Sequence, residues 1–187
     1  AGQPSRVQKW GAVAEILGGA AFAAGHVVGF AAGGSQAAAT ISGLLNLVGV
    51  VSLVFAVVGV HASLGDRGGV LGSAGTILAM LGFILLAGID TLGIALAYGN
   101  IPQAARETAP ILALSAIANV SLLVGLLLLA VELLRSPALP RFVPILLLLA
   151  IIAFLPGYFG VAFGGALGAI FLGAGFAGTA RRLWAGA

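Results

Sequence analysis

The number of membrane-spanning helices depends on residues 142–180, which read FVPILLLLAIIAFLPGYFGVAFGGALGAIFLGAGFAGTA. This apolar run is 39 residues long, whereas about 20 residues of helix cross a hydrocarbon core of roughly 30 Å. Leu155-Pro156-Gly157-Tyr158 stand near its middle, and Pro-Gly is a turn-forming pair. The run therefore predicts two spans, at Phe142–Gly157 and Gly160–Ala180, instead of one.

Four more apolar runs of spanning length precede this stretch, separated by short polar breaks. They predict spans at Trp10–Ala31, Ala39–His61, Val70–Tyr98 and Ala109–Leu134. The expected fold is an all-α integral membrane protein, a compact bundle of six transmembrane helices that forms one domain over residues 1–187. The first run is longer than the 7–15 residues of a signal-peptide core and contains Glu15 and His26, so we interpret it as a span.

Basic residues predict the orientation of the six spans. With six crossings both termini lie on one side, where seven basic residues gather, and a single one, Arg106, falls on the other side. The seven are Arg6, Lys9, Arg67, Arg135, Arg141, Arg181 and Arg182. Because Lys and Arg accumulate in cytoplasmic loops, we expect both termini in the cytoplasm and the protein in the cell's inner (cytoplasmic) membrane. Trp10 and Trp184 at one surface, and Tyr98 and Tyr158 at the other, fit the aromatic belts of such proteins.

Composition excludes several classes of protein. The chain is 61% hydrophobic and 7% charged, with a mean hydropathy of +1.21, whereas ordinary globular domains are roughly 45–50% apolar and about 25% charged. It has no cysteine, which excludes a disulfide scaffold and a thiol catalyst. The net charge of +3 is spread over scattered residues, so we expect membrane lipids and no nucleic acid as partners.

Small residues at four-residue spacing indicate how the helices pack. Lipid tails provide no hydrophobic force between helices, so small residues that allow close approach provide the contact. The chain has 30 glycines, with recurrent faces at Gly25, Gly29 and Gly33, at Gly68 and Gly72, and at Gly160, Gly164 and Gly168. We expect these faces to pack within the bundle, with a homo-oligomer interface or partner membrane subunits as the alternative. The leucines of the fourth span, Leu122, Leu123 and Leu126 to Leu129, are expected to meet lipid.

Polar residues inside the spans are the candidate functional residues, because burying them in a membrane is costly. At about 1.5 Å of rise per residue, four of them from four spans fall in the outer half: His26, Asn46, Asp90 and Asn119. Glu15 lies 11 residues before His26 on the same stripe of the first span, with Phe22 between them. We therefore expect this face to point into the bundle, with Asp90 or, alternatively, Asn46 within reach of His26 around a polar cavity.

Each polar residue also has a structural interpretation. Glu132 lies three residues before Arg135 and is expected to pair with it, and His61 is expected to be solvated at a helix end. Asn46 with Ser42, and Asn119 with Ser115, form i, i+4 pairs that could provide interhelical hydrogen bonds alone.

The residue inventory limits the chemistry that we expect. His26 and His61 are the only histidines and differ in depth by roughly 25 Å, which excludes a haem held by both histidines of one chain. A metal centre needs three or more ligands at one level, so no metal site is expected. Ser73 stands in a Gly-Ser-Ala-Gly sequence at a depth where His61 could approach it, but no pattern of oxyanion donors accompanies it. We therefore expect no catalytic residues and no identifiable cofactor beyond a lipid or an apolar pigment.

Two resemblances bear on function. In length, span count and orientation the chain resembles the substrate-binding subunits of energy-coupling-factor vitamin transporters. Residues 133–141, LLRSPALPR, resemble an inner loop common in uncharacterised bacterial six-span membrane proteins of unknown function, which implies fold and topology only.

Two functions are therefore expected as alternatives. The first is a non-enzymatic membrane protein that serves as an accessory subunit of a membrane complex or binds an apolar ligand or lipid. The alternative is a small proton-linked transporter or channel, in which His26 with Asp90 in the outer half and Glu15 with His61 in the inner half exchange protons.

Overall fold

Each of the six apolar runs forms a helix in the computed structural model. The structure describes residues 6–31, 35–65, 68–98, 108–136, 139–158 and 161–185. The helices are α1 (Arg6–Ala31), α2 (Gln36–Leu64), α3 (Val70–Tyr98), α4 (Ala109–Arg135), α5 (Phe142–Tyr158) and α6 (Ala162–Ala185). The expected all-helical fold is therefore confirmed, and α2 extends past both ends of its expected span, which places His61 in its last turn.

Five of the described helices are long and apolar enough to cross a membrane, and α5 is apolar but shorter. Its 17 residues give a length of about 26 Å, slightly less than a hydrocarbon core. Pro156 lies in its last turn, where the proline ring cannot donate a backbone hydrogen bond. The amide of Val161 donates to the carbonyl of Pro156 at 3.0 Å, which closes the turn towards α6.

Local signals account for several helix ends. Ser35 caps α2, because its hydroxyl accepts the amide of Ala38 at 3.3 Å, and Thr108 precedes α4, which has a proline in its first turn. Gly65 ends α2 with φ at +52°, a conformation that glycine adopts without the steric cost of a side chain. Glu132 of α4 accepts the amide of Gly69 at 3.0 Å and so satisfies a free amide at the start of α3.

The helices form a closed ring in chain order. Each helix packs against its neighbours along the chain, and α1 closes the ring by packing against α6. Neighbours run antiparallel: Gly11 and Gly25 at the two ends of α1 meet Gly59 and Asn46 at the opposite ends of α2. The inside of the ring holds the apolar core, which includes Phe83, Leu53, Val57, Leu126, Leu129 and Phe176.

Glycines bring the backbones of neighbouring helices into direct contact. A Cβ added to Gly11 would lie 2.6 Å from the Cα of Gly59, and a Cβ added to Gly19 would lie 2.8 Å from the Cα of Gly173. In the expected small-residue faces, Gly25 and Gly29 pack on α2, and Gly72, Gly164 and Gly168 also meet neighbouring helices. This confirms packing within the chain for the described glycines; Gly33 and Gly160 lie outside the described residues.

The expectation that the leucines of α4 meet lipid is wrong for three of them. Leu122, Leu126 and Leu129 are buried, because their spacing of four and three residues places them on one helical face. Gly125 on this face contacts the backbone of Ala79 in α3. Leu127, on another face, is 43% exposed, in line with the expectation.

Gly19→Ala tests the close contact between α1 and α6. The added methyl group would meet the backbone of Gly173, which cannot move aside as a side chain can, and overpacking of this kind costs about 1–3 kcal/mol. We expect a lower midpoint of thermal unfolding in detergent. Gly88→Ala is the matched control, because an added Cβ there meets nothing within 4 Å and alanine is the better helix former by about 1 kcal/mol. An unfolding midpoint that rises in both variants would contradict the proposed contact.

Candidate functional site

A cavity of about 290 Å³ lies inside the ring at the end where α1 finishes and α2 begins. All six helices contribute to its wall. The four polar side chains, one each from α1 to α4, are His26, Asn46, Asp90 and Asn119. The structure thus brings together the four residues that the sequence singled out as lying at one level.

His26 is half-buried and lies inside the ring. Its Nδ1 lies 3.0 Å from the carbonyl oxygen of Phe22, one turn earlier in α1. Because a carbonyl can only accept a hydrogen bond, Nδ1 carries the proton and donates it. In the neutral imidazole, Nε2 is then an acceptor. The imidazole ring of His26 contacts two aromatic side chains. Its centroid lies 4.4 Å from that of Phe22 and 6.2 Å from that of Phe154.

Asn46 is the polar neighbour of His26, and its side chain lies beside the imidazole. The Asn46 side chain also packs directly on Gly25, where an added Cβ would lie 2.8 Å from its Cγ. One turn earlier in α2, Ser42 donates to the carbonyl of Gly25 at 2.8 Å. Ser42 therefore links the two helices as expected, whereas the Oδ1 of Asn46 is buried and accepts no hydrogen bond from a donor among the described residues.

Asp90 shares the cavity with His26 without forming a hydrogen bond to it. Among the described residues no hydrogen bond or ion pair reaches the Asp90 carboxylate, although it is half-buried in the cavity wall. Of the two expected neighbours of His26, Asn46 is thus the one that reaches the imidazole. The amide of Asn119 donates to the carbonyl of Ser115 at 2.8 Å, within its own helix.

A second space of about 430 Å³ adjoins the cavity at the same end of the ring. Residues from α1 to α4 line this cleft, and Asn46 and Asp90 line both the cleft and the cavity. These two side chains therefore stand at the boundary between the cleft and the cavity, a position that we call the neck.

Aromatic rings form the floor of the cavity. The ring of Phe22 lies 6.5 Å from that of Phe83, edge to face, and 6.4 Å from that of Phe154. Beyond these phenylalanines, away from the cavity, the interior of the helix bundle is filled by fully buried side chains such as Leu53, Val57 and Leu126. The cavity is therefore closed towards the other end of the bundle.

Glu15 lies beyond this floor, in the other half of the bundle. It is fully buried and forms a hydrogen bond with the hydroxyl of Thr179 in α6, so its partner is not the expected His61. His61 lies half-buried in the last turn of α2, and its Nδ1 has no hydrogen-bond partner among the described residues. Thr179 and Glu15 are 164 positions apart. No local sequence pattern therefore identifies Thr179 as the partner of Glu15.

Glu132 has a different role from the expected ion pair. It accepts the amide of Gly69 and lies against Gly72, whereas Arg135 is exposed. Within the described ranges, no three His, Cys, Asp or Glu side chains come together as metal ligands would.

The sequence did not reveal the apolar residues that shape the cavity. Phe154 and Gly157 of α5, and Gly165 of α6, complete its wall, but they lie in runs where every residue is apolar. Comparison of the chain with protein-family models, with curated proteins and with solved structures finds no match.

Cysteine labelling tests whether the cavity can be reached from the cleft. The chain has no cysteine, so Asp90→Cys introduces a single thiol at the neck. We expect a polar thiol reagent to label this variant in mild detergent. Val57→Cys, similar in size to the side chain that it replaces and fully buried, is expected to stay unlabelled. Equal labelling of the two variants would show that the neck is no more accessible than the core.

Proposed function

We propose that this chain is a non-enzymatic membrane protein that binds a small, largely apolar ligand in the cavity. The observation that carries the proposal is a cavity lined by four polar side chains above a floor of phenylalanine rings. Binding sites for small molecules commonly combine apolar walls with a few converging polar groups. Together the cavity of about 290 Å³ and the cleft of about 430 Å³ suit a small molecule or part of a lipid.

The polar groups of the cavity favour a ligand that donates hydrogen bonds. The side chain of Asn46 lies in the cavity wall beside His26. Asp90, when ionised, is a hydrogen-bond acceptor, and so is the Nε2 of neutral His26. A ligand with an apolar body and an N–H or O–H group satisfies these acceptors and packs against Phe22 and Phe154.

The distribution of basic residues supports an orientation with the cavity open to the outside. Arg6 and Lys9 of α1, Arg135 of α4 and Arg182 of α6 stand at the end opposite the cavity. By the positive-inside rule that end and both termini are cytoplasmic, in the inner membrane of a bacterial cell. The resemblance to substrate-binding subunits of energy-coupling-factor transporters favours an accessory subunit that passes its ligand to partner membrane subunits.

Native mass spectrometry of the gently purified protein tests ligand binding. We expect wild-type protein to carry a stoichiometric small molecule, and Asn46→Leu, which keeps the branched shape but has no polar atoms, to lose it. Thr91→Val is the matched control, because Thr91 is exposed and its hydroxyl bonds only within α3. The proposal fails if Asn46→Leu retains the molecule as well as the control does, or if wild-type protein carries none.

A proton-linked transporter is the second candidate. The observation that favours it is the presence of two ionisable side chains, His26 and Asp90, in one membrane-embedded cavity, because such residues commonly mark proton relays. In proteoliposomes a transporter would move the co-purified molecule when a pH gradient is imposed, and Asp90→Asn would abolish that movement. Binding without movement would favour the first candidate.

Reporter fusions test the proposed orientation. Fusions at Ser35, Gln103 and Tyr158 are expected to report the outside, and fusions at Gly68 and Ser136 the cytoplasm, because six spans alternate between the two sides. Truncated fusions that report the opposite side at one of these sites would show that the number of spans, their order or their orientation differs from the proposal.

A further inference from the structure

The two hydrogen bonds of Thr179 near Glu15 need two hydrogens, but the Thr179 hydroxyl has one and an ionised Glu15 has none. Thr179 Oγ1 lies 2.7 Å from the carbonyl oxygen of Phe176 and also forms a hydrogen bond with Oε2 of Glu15. A hydroxyl group has one hydrogen to donate. The Phe176 carbonyl can only accept, so the Thr179 hydrogen is used there, and the hydrogen between Thr179 and Glu15 must come from Glu15.

From this geometry we infer that Glu15 is a neutral carboxylic acid and that the contact between α1 and α6 contains a binding site for a proton. Glu15 Oε2–H donates to Thr179 Oγ1, which donates in turn to Phe176. The inference concerns a site in the half of the bundle away from the cavity, so it does not depend on the proposed ligand.

The surroundings of Glu15 provide independent support. The side chain is fully buried, and its Oε1 has no hydrogen-bond partner among the described residues. A Cβ added to Gly59 of α2 would lie 3.6 Å from this oxygen. A buried carboxylate without a cation is costly, and no basic side chain in the described ranges forms an ion pair with it. Binding a proton removes that cost.

Other titratable groups stand on the three helices that surround this site. They are Arg6, Lys9 and His26 on α1, His61 on α2, and Arg181 and Arg182 on α6. Arg182 lies one turn beyond Thr179, and its Nε is buried without a hydrogen-bond partner among the described residues. Release of the proton from Glu15 to water at this end would leave a carboxylate, and rotation of the Thr179 hydroxyl from Phe176 to Glu15 would then stabilise it.

Infrared spectroscopy of the full-length protein in lipid tests the inference at neutral pH. We expect wild-type protein to show the carbonyl stretch of a protonated carboxylic acid, and Glu15→Gln to lose that band completely. Gln can donate to Thr179 in the same way, so this variant is designed to keep the fold. Asp90→Asn and Glu132→Gln are the controls, because neither residue contacts Thr179.

Thr179→Val provides a second measurement. It removes the hydroxyl acceptor while it keeps a side chain of similar size, so the band is expected to persist and to move to the higher frequency of a carboxylic acid with a weaker hydrogen bond. The inference is wrong if Glu15→Gln instead removes a carboxylate band at neutral pH, or if its spectrum in the carboxylic-acid region equals that of wild-type protein.

Discussion

Direct contact between helix backbones, made possible by glycine, is the constraint on which the whole bundle depends. Inside a membrane the surrounding lipid is as apolar as leucine, so helices associate through close packing and hydrogen bonds. Gly11 against Gly59 and Gly19 against Gly173 attach α1 to α2 on one side and to α6 on the other. Because these contacts close the ring, they also determine which face of α1 points inwards.

The orientation of α1 explains the position of both polar sites. His26 and Glu15 lie on one face of this helix, and Phe22 lies between them. With that face turned inwards, His26 reaches the cavity and Glu15 reaches Thr179. Phe22, packed against Phe83 and Phe154, separates the two sites by an apolar layer.

The two halves of the ring differ because their side chains differ in size and polarity. In the half away from the cavity, Leu, Val and Phe side chains meet at the axis and fill it. In the other half, polar residues on four helices and glycines on α5 and α6 replace them, so the interior is not filled. The same replacement creates the cavity and supplies the hydrogen-bonding groups that line it.

Hydropathy in the sequence predicted the helices well, because helix length in a membrane is a local property set by apolar run length and by breaks such as Pro156-Gly157. It also predicted which polar residues lie at the level of the cavity, since a constant rise per residue converts position into depth. The partner of Glu15, the role of Glu132 at the start of α3 and the buried leucines of α4 were not predicted. These depend on how each helix is rotated against its neighbours, and in runs that are apolar on every side no periodic pattern records that rotation. Contact between backbones at particular glycines sets it, and only the assembled ring shows which glycines meet.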